Sequence, residues 1–184
     1  PGEANSIMHN KKNVGAVELA TMSFGQSFQI TPLQLMRAAS AAVNGGTLVT
    51  PHFGMKAVDS SGKTVKTFEF AKKKNVIKKE TSETMRELLE AVVSEGSGRN
   101  CKIEGYSIGG KTATSEKLPR GTGKYISSFL GFSKAEHPTV MALVMIDEPK
   151  GTYYGGTIAA PVVREVFKVA LPYLGISKDY TVDK

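Results

Sequence analysis

The sequence predicts an α+β fold, an antiparallel sheet covered by helices on both faces. Three extended segments, roughly 105–116, Tyr125–Phe132 and Thr139–Ile146, follow one another through the connections Leu118–Lys124 and Ser133–Pro138. Both connections are too short for a helical crossover, so neighbouring strands must run antiparallel. The segment Val140–Ile146 is apolar without alternation, as expected of a strand covered on both sides. Helical sequence stands before and after this meander, with no internal repeat.

The elements follow in order. Residues 1–24 are mixed, and the apolar run Val14–Ala20 reads equally as a short strand or a helix. Thr31-Pro32-Leu33-Gln34 offers a capping hydroxyl, a proline at the first helical position and a Gln placed to close a capping box. The alanine-rich helix that follows should stop at Asn44-Gly45-Gly46. Over 47–76, short apolar runs flank the turn Ser60-Ser61-Gly62-Lys63 and the basic run Lys72–Lys74, the pattern of a surface β-hairpin. Thr81 or Ser82 is the expected cap of a second helix with Met85, Leu88, Leu89, Val92 and Val93 as its core face, ended by Gly96 and Gly98. A third helix should begin near Pro161, bury Val162, Val166, Val169 and Ala170, and end at Pro172 or Gly175.

Composition bounds the chemistry. The 184 residues are 40% hydrophobic and 22% charged, which fits one globular domain or most of one. The net charge of +7 favours anionic ligands without choosing among them. The single Cys101 excludes an internal disulfide, and His9, His52 and His137 stand too far apart to suggest a metal site. No apolar run reaches 18 residues, and the start Pro1-Gly2-Glu3 reads as the interior of a longer protein.

The informative stretch is Gly105–Ser115. Gly105 to Thr112 satisfies G-x-x-x-x-G-K-[ST], and Val140–Glu148 imitates the apolar strand and acid that hold magnesium in nucleotide-binding enzymes. That loop requires a buried strand before it and a helix directly after Lys-Thr. Arg99–Glu104 is too polar for the strand, and Pro119, Gly121 and Gly123 leave no room for the helix. Nucleotide binding is thus the remote reading, and Asp147 and Glu148 read as a polar strand end. The better reading makes 105–116 a strand. Alternation then puts the Thr112 and Thr114 hydroxyls on one face and Lys111 on the other, an anion site. Small residues at 109, 110 and 113 would admit a ligand backbone, and an edge position would let a peptide add as an extra strand.

Gly110-Lys111-Thr112-Ala113-Thr114 on a strand resembles the Lys-Thr/Ser-Gly box of penicillin-binding proteins and serine β-lactamases. The wider set resembles the class B transpeptidases: Ser23-Phe24-Gly25-Gln26, Thr31-Pro32-Leu33-Gln34, Asn44-Gly45-Gly46, Ser128–Phe132 and Ala160-Pro161-Val162. Within that class the chain looks most like the sporulation type. The resemblance implies the C-terminal part of one transpeptidase domain over residues 1–184, with the hairpin at about 47–76 as an excursion. It implies a D,D-transpeptidase that crosslinks peptidoglycan stem peptides through an acyl-serine. Lys111, Thr112, Ala113 and Thr114 would bind substrate, and the Thr114 backbone N–H would be an oxyanion donor. Two departures stand out. Ala113 replaces the usual glycine, and the Ser-x-x-Lys and Ser-x-Asn boxes are missing; Ser60-Ser61-Gly62-Lys63 matches the first in letters only, because a turn glycine replaces the required helix. The nucleophile and base are therefore expected outside this chain, which alone should be inactive. The implied partners are stem peptides, β-lactam antibiotics and cell-wall synthesis proteins, with no nucleic acid, metal or cofactor. The implied location is extracytoplasmic, with the membrane reached only through an N-terminal anchor helix outside this chain. A non-catalytic β-lactam sensor or scaffold of the same fold is the competing reading.

Overall fold

The computed structural model describes residues 3–133 and 136–179. Pro1 and Gly2, and Lys134 and Ala135 in the second strand connection, lie outside the described residues. The order is α1 (Ala16–Ser23), α2 (Pro32–Val43), β1 (Lys56–Val58), β2 (Thr64–Thr67), α3 (Lys79–Ser94), β3 (Ile108–Glu116), β4 (Tyr125–Ser133), β5 (Met141–Asp147), α4 (Gly155–Ile158) and α5 (Ala160–Tyr173), with short 3-10 turns at Lys11–Asn13 and Arg99–Cys101. The α+β expectation holds: β3, β4 and β5 form an antiparallel sheet in that spatial order, and β1 and β2 form the separate hairpin.

Local sequence explains most boundaries. The Thr31 hydroxyl accepts the Gln34 N–H, and Pro32 opens α2. Gln34 does not close the box; its side-chain oxygen accepts the Ser6 hydroxyl instead. The undecided run at 14–20 is helical from Ala16, because Glu18 reaches back to the Gly15 N–H (2.9 Å). The second helix starts earlier than Thr81 or Ser82. Lys78 is its cap position, and Ser82 is fully buried inside α3, where its hydroxyl accepts the Gly45 N–H (2.9 Å) and ties the end of α2 to α3.

The sheet carries one apolar cluster on each face. On the first, Phe129 packs with Cys101, Ile108, Val163, Phe167 and Leu171. On the second, Phe132 packs with Val43, Leu89 and Met141 from α2, α3 and β5. Phe129 and Phe132 are three apart in β4, so the strand period sends their rings to opposite faces. Each ring crosses to β3 and lies over a glycine. A Cβ at Gly109 would fall 2.2 Å from the Phe132 ring, and one at Gly110 would fall 2.5 Å from the Phe129 ring. The expectation that these glycines admit a ligand backbone is therefore corrected: they admit the protein's own aromatic rings.

Three other burial expectations are corrected. On α5 the buried residues are Ala160, Val163, Phe167 and Leu171, whereas Val162 (44%), Val166 (47%) and Val169 (74%) are exposed. Both stripes have helical spacing, and the face with Phe167 and Leu171 removes more apolar surface from water. On α3, Leu88 is exposed at 59%. Finally, β5 is only partly covered, with Met145 at 42%, because it is the other terminal strand of the described sheet.

Charge pins the strand ends at the far end of the sheet. The Lys117 ammonium meets Asp147 (2.9 Å) and Glu148 (2.8 Å), and Lys124 also reaches Glu148 (3.3 Å). The hydrogen bond from Lys117, then that from Lys124, holds the Glu148 carboxyl below its ordinary 4.5, and the bond to Glu148 raises Lys117 above its ordinary 10.5. Glu148 therefore contributes stability that is complete above pH 4.5 and is lost as pH falls through its lowered folded value. Lys117 contributes below pH 10.5 and loses its share as pH rises through its raised value. A Glu148→Gln variant should show a flatter acid limb in melting temperature against pH than the parent protein. Identical limbs would show that the pair adds nothing to stability.

Candidate active site

Residue alternation along β3 is the expected one, with Lys111, Ala113 and Ser115 exposed and Thr112, Thr114 and Glu116 half-buried. The strand is continuous from Ile108 to Glu116, and no helix starts at Thr112. That removes the helix N-terminus on which a phosphate-binding loop depends. Among the described residues, the same strand is terminal in the sheet. The Lys117 N–H donates to the Lys124 carbonyl (2.8 Å), which fixes the antiparallel alternation. Odd-numbered residues of β3 bond to β4, and the N–H groups of Thr112 and Thr114 point out along the free edge.

The hydroxyls of Thr112 and Thr114 share one face and one cleft, of about 390 Å³, closed by Ser97 and the 3-10 turn that follow α3 and by α4. Ser97 and Thr112 bring their hydroxyls within 3.2 Å, and the Gly155 N–H donates to Thr114 Oγ1 (3.1 Å), which leaves the Thr114 hydroxyl proton available. Two glycines allow this close approach. A Cβ at Gly155 would stand 2.2 Å from the Ser128 carbonyl oxygen, and one at Gly156 would stand 2.3 Å from that of Ser97. A second cleft, of about 420 Å³, meets the first at Thr114 and is bordered by Phe24, Gln26, Arg120 and Tyr125. Phe24 and Gln26 thus help to shape the groove.

Lys111 lies on the opposite face and borders neither cleft. Its ammonium donates to the Thr112 carbonyl (2.7 Å), curling over the strand edge. Sequence reasoning missed Ser97, Arg99, Asn100 and the Tyr154–Thr157 segment, all of which border the first cleft. The signal for them is tertiary: Asn100 Nδ2 donates to the Gly156 carbonyl (2.8 Å) and joins the 3-10 turn to α4, 56 residues on. Tyr125 stacks on Tyr153 with ring centroids 4.2 Å apart, Tyr154 tilts against Tyr153 at 4.7 Å, and the three rings link the two clefts.

Cys101 has no part in this chemistry. It is fully buried, and burial pushes its thiol up to about 12, so it holds no thiolate at neutral pH. Asp147 and Glu148 face lysines, as a polar strand end does. Lys72, Lys73 and Lys74 are exposed. Among the described residues, no helix is long and apolar enough to cross a membrane.

Residues 1–168 match the family described as the penicillin binding protein transpeptidase domain. The chain belongs to that family. It is 46% identical over 180 residues to stage V sporulation protein D of Bacillus subtilis, covering 95% of this chain and 28% of that protein. To the peptidoglycan D,D-transpeptidase FtsI of Buchnera aphidicola it is 33% identical, over 97% of this chain and 31% of the relative. The solved transpeptidase domain of Burkholderia pseudomallei penicillin-binding protein 3 superimposes with a TM-score of 0.80 at 30% identity, covering 98% of this chain and 54% of that one. This chain therefore spans about a third or less of the length of these two curated relatives.

Proposed function

We propose that the protein containing this chain is a peptidoglycan D,D-transpeptidase. The observation that carries the reading is the edge strand β3, which offers two outward N–H groups and two hydroxyls beside one polar cleft in a chain of this family. An extended stem peptide ending in D-Ala-D-Ala would add to that edge, with its backbone bonding to β3. Its terminal carboxylate would be gripped by the Thr112 and Thr114 hydroxyls, with the Lys111 ammonium at the strand edge and Ala113 beneath the ligand backbone. Residues 1–184 would form the C-terminal part of one transpeptidase domain.

A serine from outside this chain would attack the penultimate D-Ala carbonyl. The carbonyl oxygen would become an oxyanion, and the outward Thr114 N–H would donate to it. Such a donor is worth about 2.7–4 kcal/mol in the transition state. Collapse of the oxyanion expels the terminal D-Ala, and the amine of a neighbouring stem then takes the acyl group and frees the serine. β-Lactams would acylate the same serine, in keeping with the penicillin-binding family. Relatedness to the stage V protein supports a role in sporulation and an association with other cell-wall synthesis proteins. Acting on a wall polymer, the site would lie outside the cytoplasmic membrane, with an anchor expected upstream of this chain.

The test uses the intact protein. A unit charge about 4 Å from a carboxylate contributes about 4 kcal/mol at an effective dielectric of ~20, before desolvation. If only half of that survives, Lys111→Ala slows acylation by fluorescent penicillin by roughly thirtyfold. Unchanged labelling would overturn the role of Lys111. Turnover of a D-Ala-D-Ala stem peptide separates the enzyme from a sensor, which would be acylated without transferring the acyl group.

A further inference from the structure

The hydroxyl face of β3 needs a positive charge of its own, and Lys111 lies on the other face. Among the described residues, Arg99 is the single cation bordering the cleft that Thr112 and Thr114 share, and no carboxylate among them borders it. Its backbone is held on both sides. Cys101, two residues on, is sealed in the core, and its N–H donates to the Gly98 carbonyl (2.8 Å). The next residue, Asn100, is bonded to Gly156, and two residues before Arg99 the Ser97 hydroxyl meets that of Thr112. The 3-10 turn is therefore tied to β3 and α4 at the cleft wall. Among the described residues the guanidinium makes no ion pair, so it is not already neutralised. A guanidinium fork matches the two oxygens of a carboxylate, which an ammonium meets only as a point charge.

We propose that Arg99 is a carboxylate-recognising residue of this site, pairing with the terminal carboxylate of the bound peptide or β-lactam from the side of Thr112 and Thr114. This rests on the transpeptidase reading. It divides the labour along the strand: Arg99 selects the acid from the cleft wall, while Lys111 serves the strand edge.

The test compares benzylpenicillin with its methyl ester on the intact protein, reading the second-order rate of serine acylation for each. The quantity is the acid-to-ester rate ratio, which a general loss of folding or of nucleophile reactivity would leave unchanged. Arg99→Gln should lower the ratio about tenfold or more. Arg99→Lys, which keeps the charge and loses the fork, should give an intermediate ratio. Raising the salt concentration should lower the ratio in the parent more than in Arg99→Gln. A ratio in Arg99→Gln equal to the parent's would overturn the assignment. If the unaltered protein is not acylated by either probe, the transpeptidase reading itself has failed, a result separate from failure of the Arg99 assignment.

Discussion

Adding one methyl group at Gly155 is expected to lower penicillin acylation of the intact protein about a hundredfold. The new Cβ would lie 2.2 Å from the Ser128 carbonyl oxygen and 2.5 Å from that of Ala113, two backbone atoms on paired strands. Neither atom belongs to a side chain that can swing aside. The helix α4 must lift off the sheet, which breaks the bond from the Gly155 N–H to Thr114 Oγ1 and moves the Tyr154–Thr157 wall of the cleft. A displacement of about 1 Å at a reacting centre can cost roughly a hundredfold in rate, and overpacking itself costs about 1–3 kcal/mol in stability. Stopped-flow acylation and a melting curve of Gly155→Ala check both parts. Acylation within twofold of the parent would show that the α4 contact does not shape the site.

The second large effect concerns stability. Phe132 is fully buried, so Phe132→Ala should cost about 3–5 kcal/mol, a fall on the order of 10 °C in melting temperature. Gly109→Ala alone should also destabilise, because its Cβ would fall 2.2 Å from the Phe132 ring. In the double variant that clash is gone and the added methyl occupies part of the emptied volume. The combined loss should therefore be smaller than the sum of the two by about 0.5–3 kcal/mol. Strict additivity, measured by denaturant unfolding of all four proteins, would mean that the ring does not use the space over Gly109.

Much of this fold was legible because its signals are local. Thr31 and Pro32 mark the start of α2, the short connections force the meander to be antiparallel, and period-two alternation separates Lys111 from Thr112 and Thr114. The failures arise where a choice is made by distant residues. On α5, the valine stripe and the Phe167–Leu171 stripe obey the same spacing, and only the approach of Phe129 and Ile108 decides between them. Ser82 looks like a helix cap until Gly45 arrives to donate to it. Gly109 and Gly110 look like room for a ligand until the register places Phe132 opposite Gly109 and Phe129 opposite Thr112, with its ring over Gly110. The site divides in the same way. The lysine strand is written in five consecutive residues, whereas Arg99 joins it only because Cys101 and Asn100 anchor a turn whose partners lie far along the chain.

The seal over Cys101 has a practical side. With the sole sulfhydryl of this chain locked away and protonated, maleimide dyes and spin labels find a blank background here. A Ser115→Cys or Lys124→Cys derivative would then carry its reporter at one chosen point beside the groove, so that stem-peptide docking can be followed by fluorescence without first stripping out a native thiol.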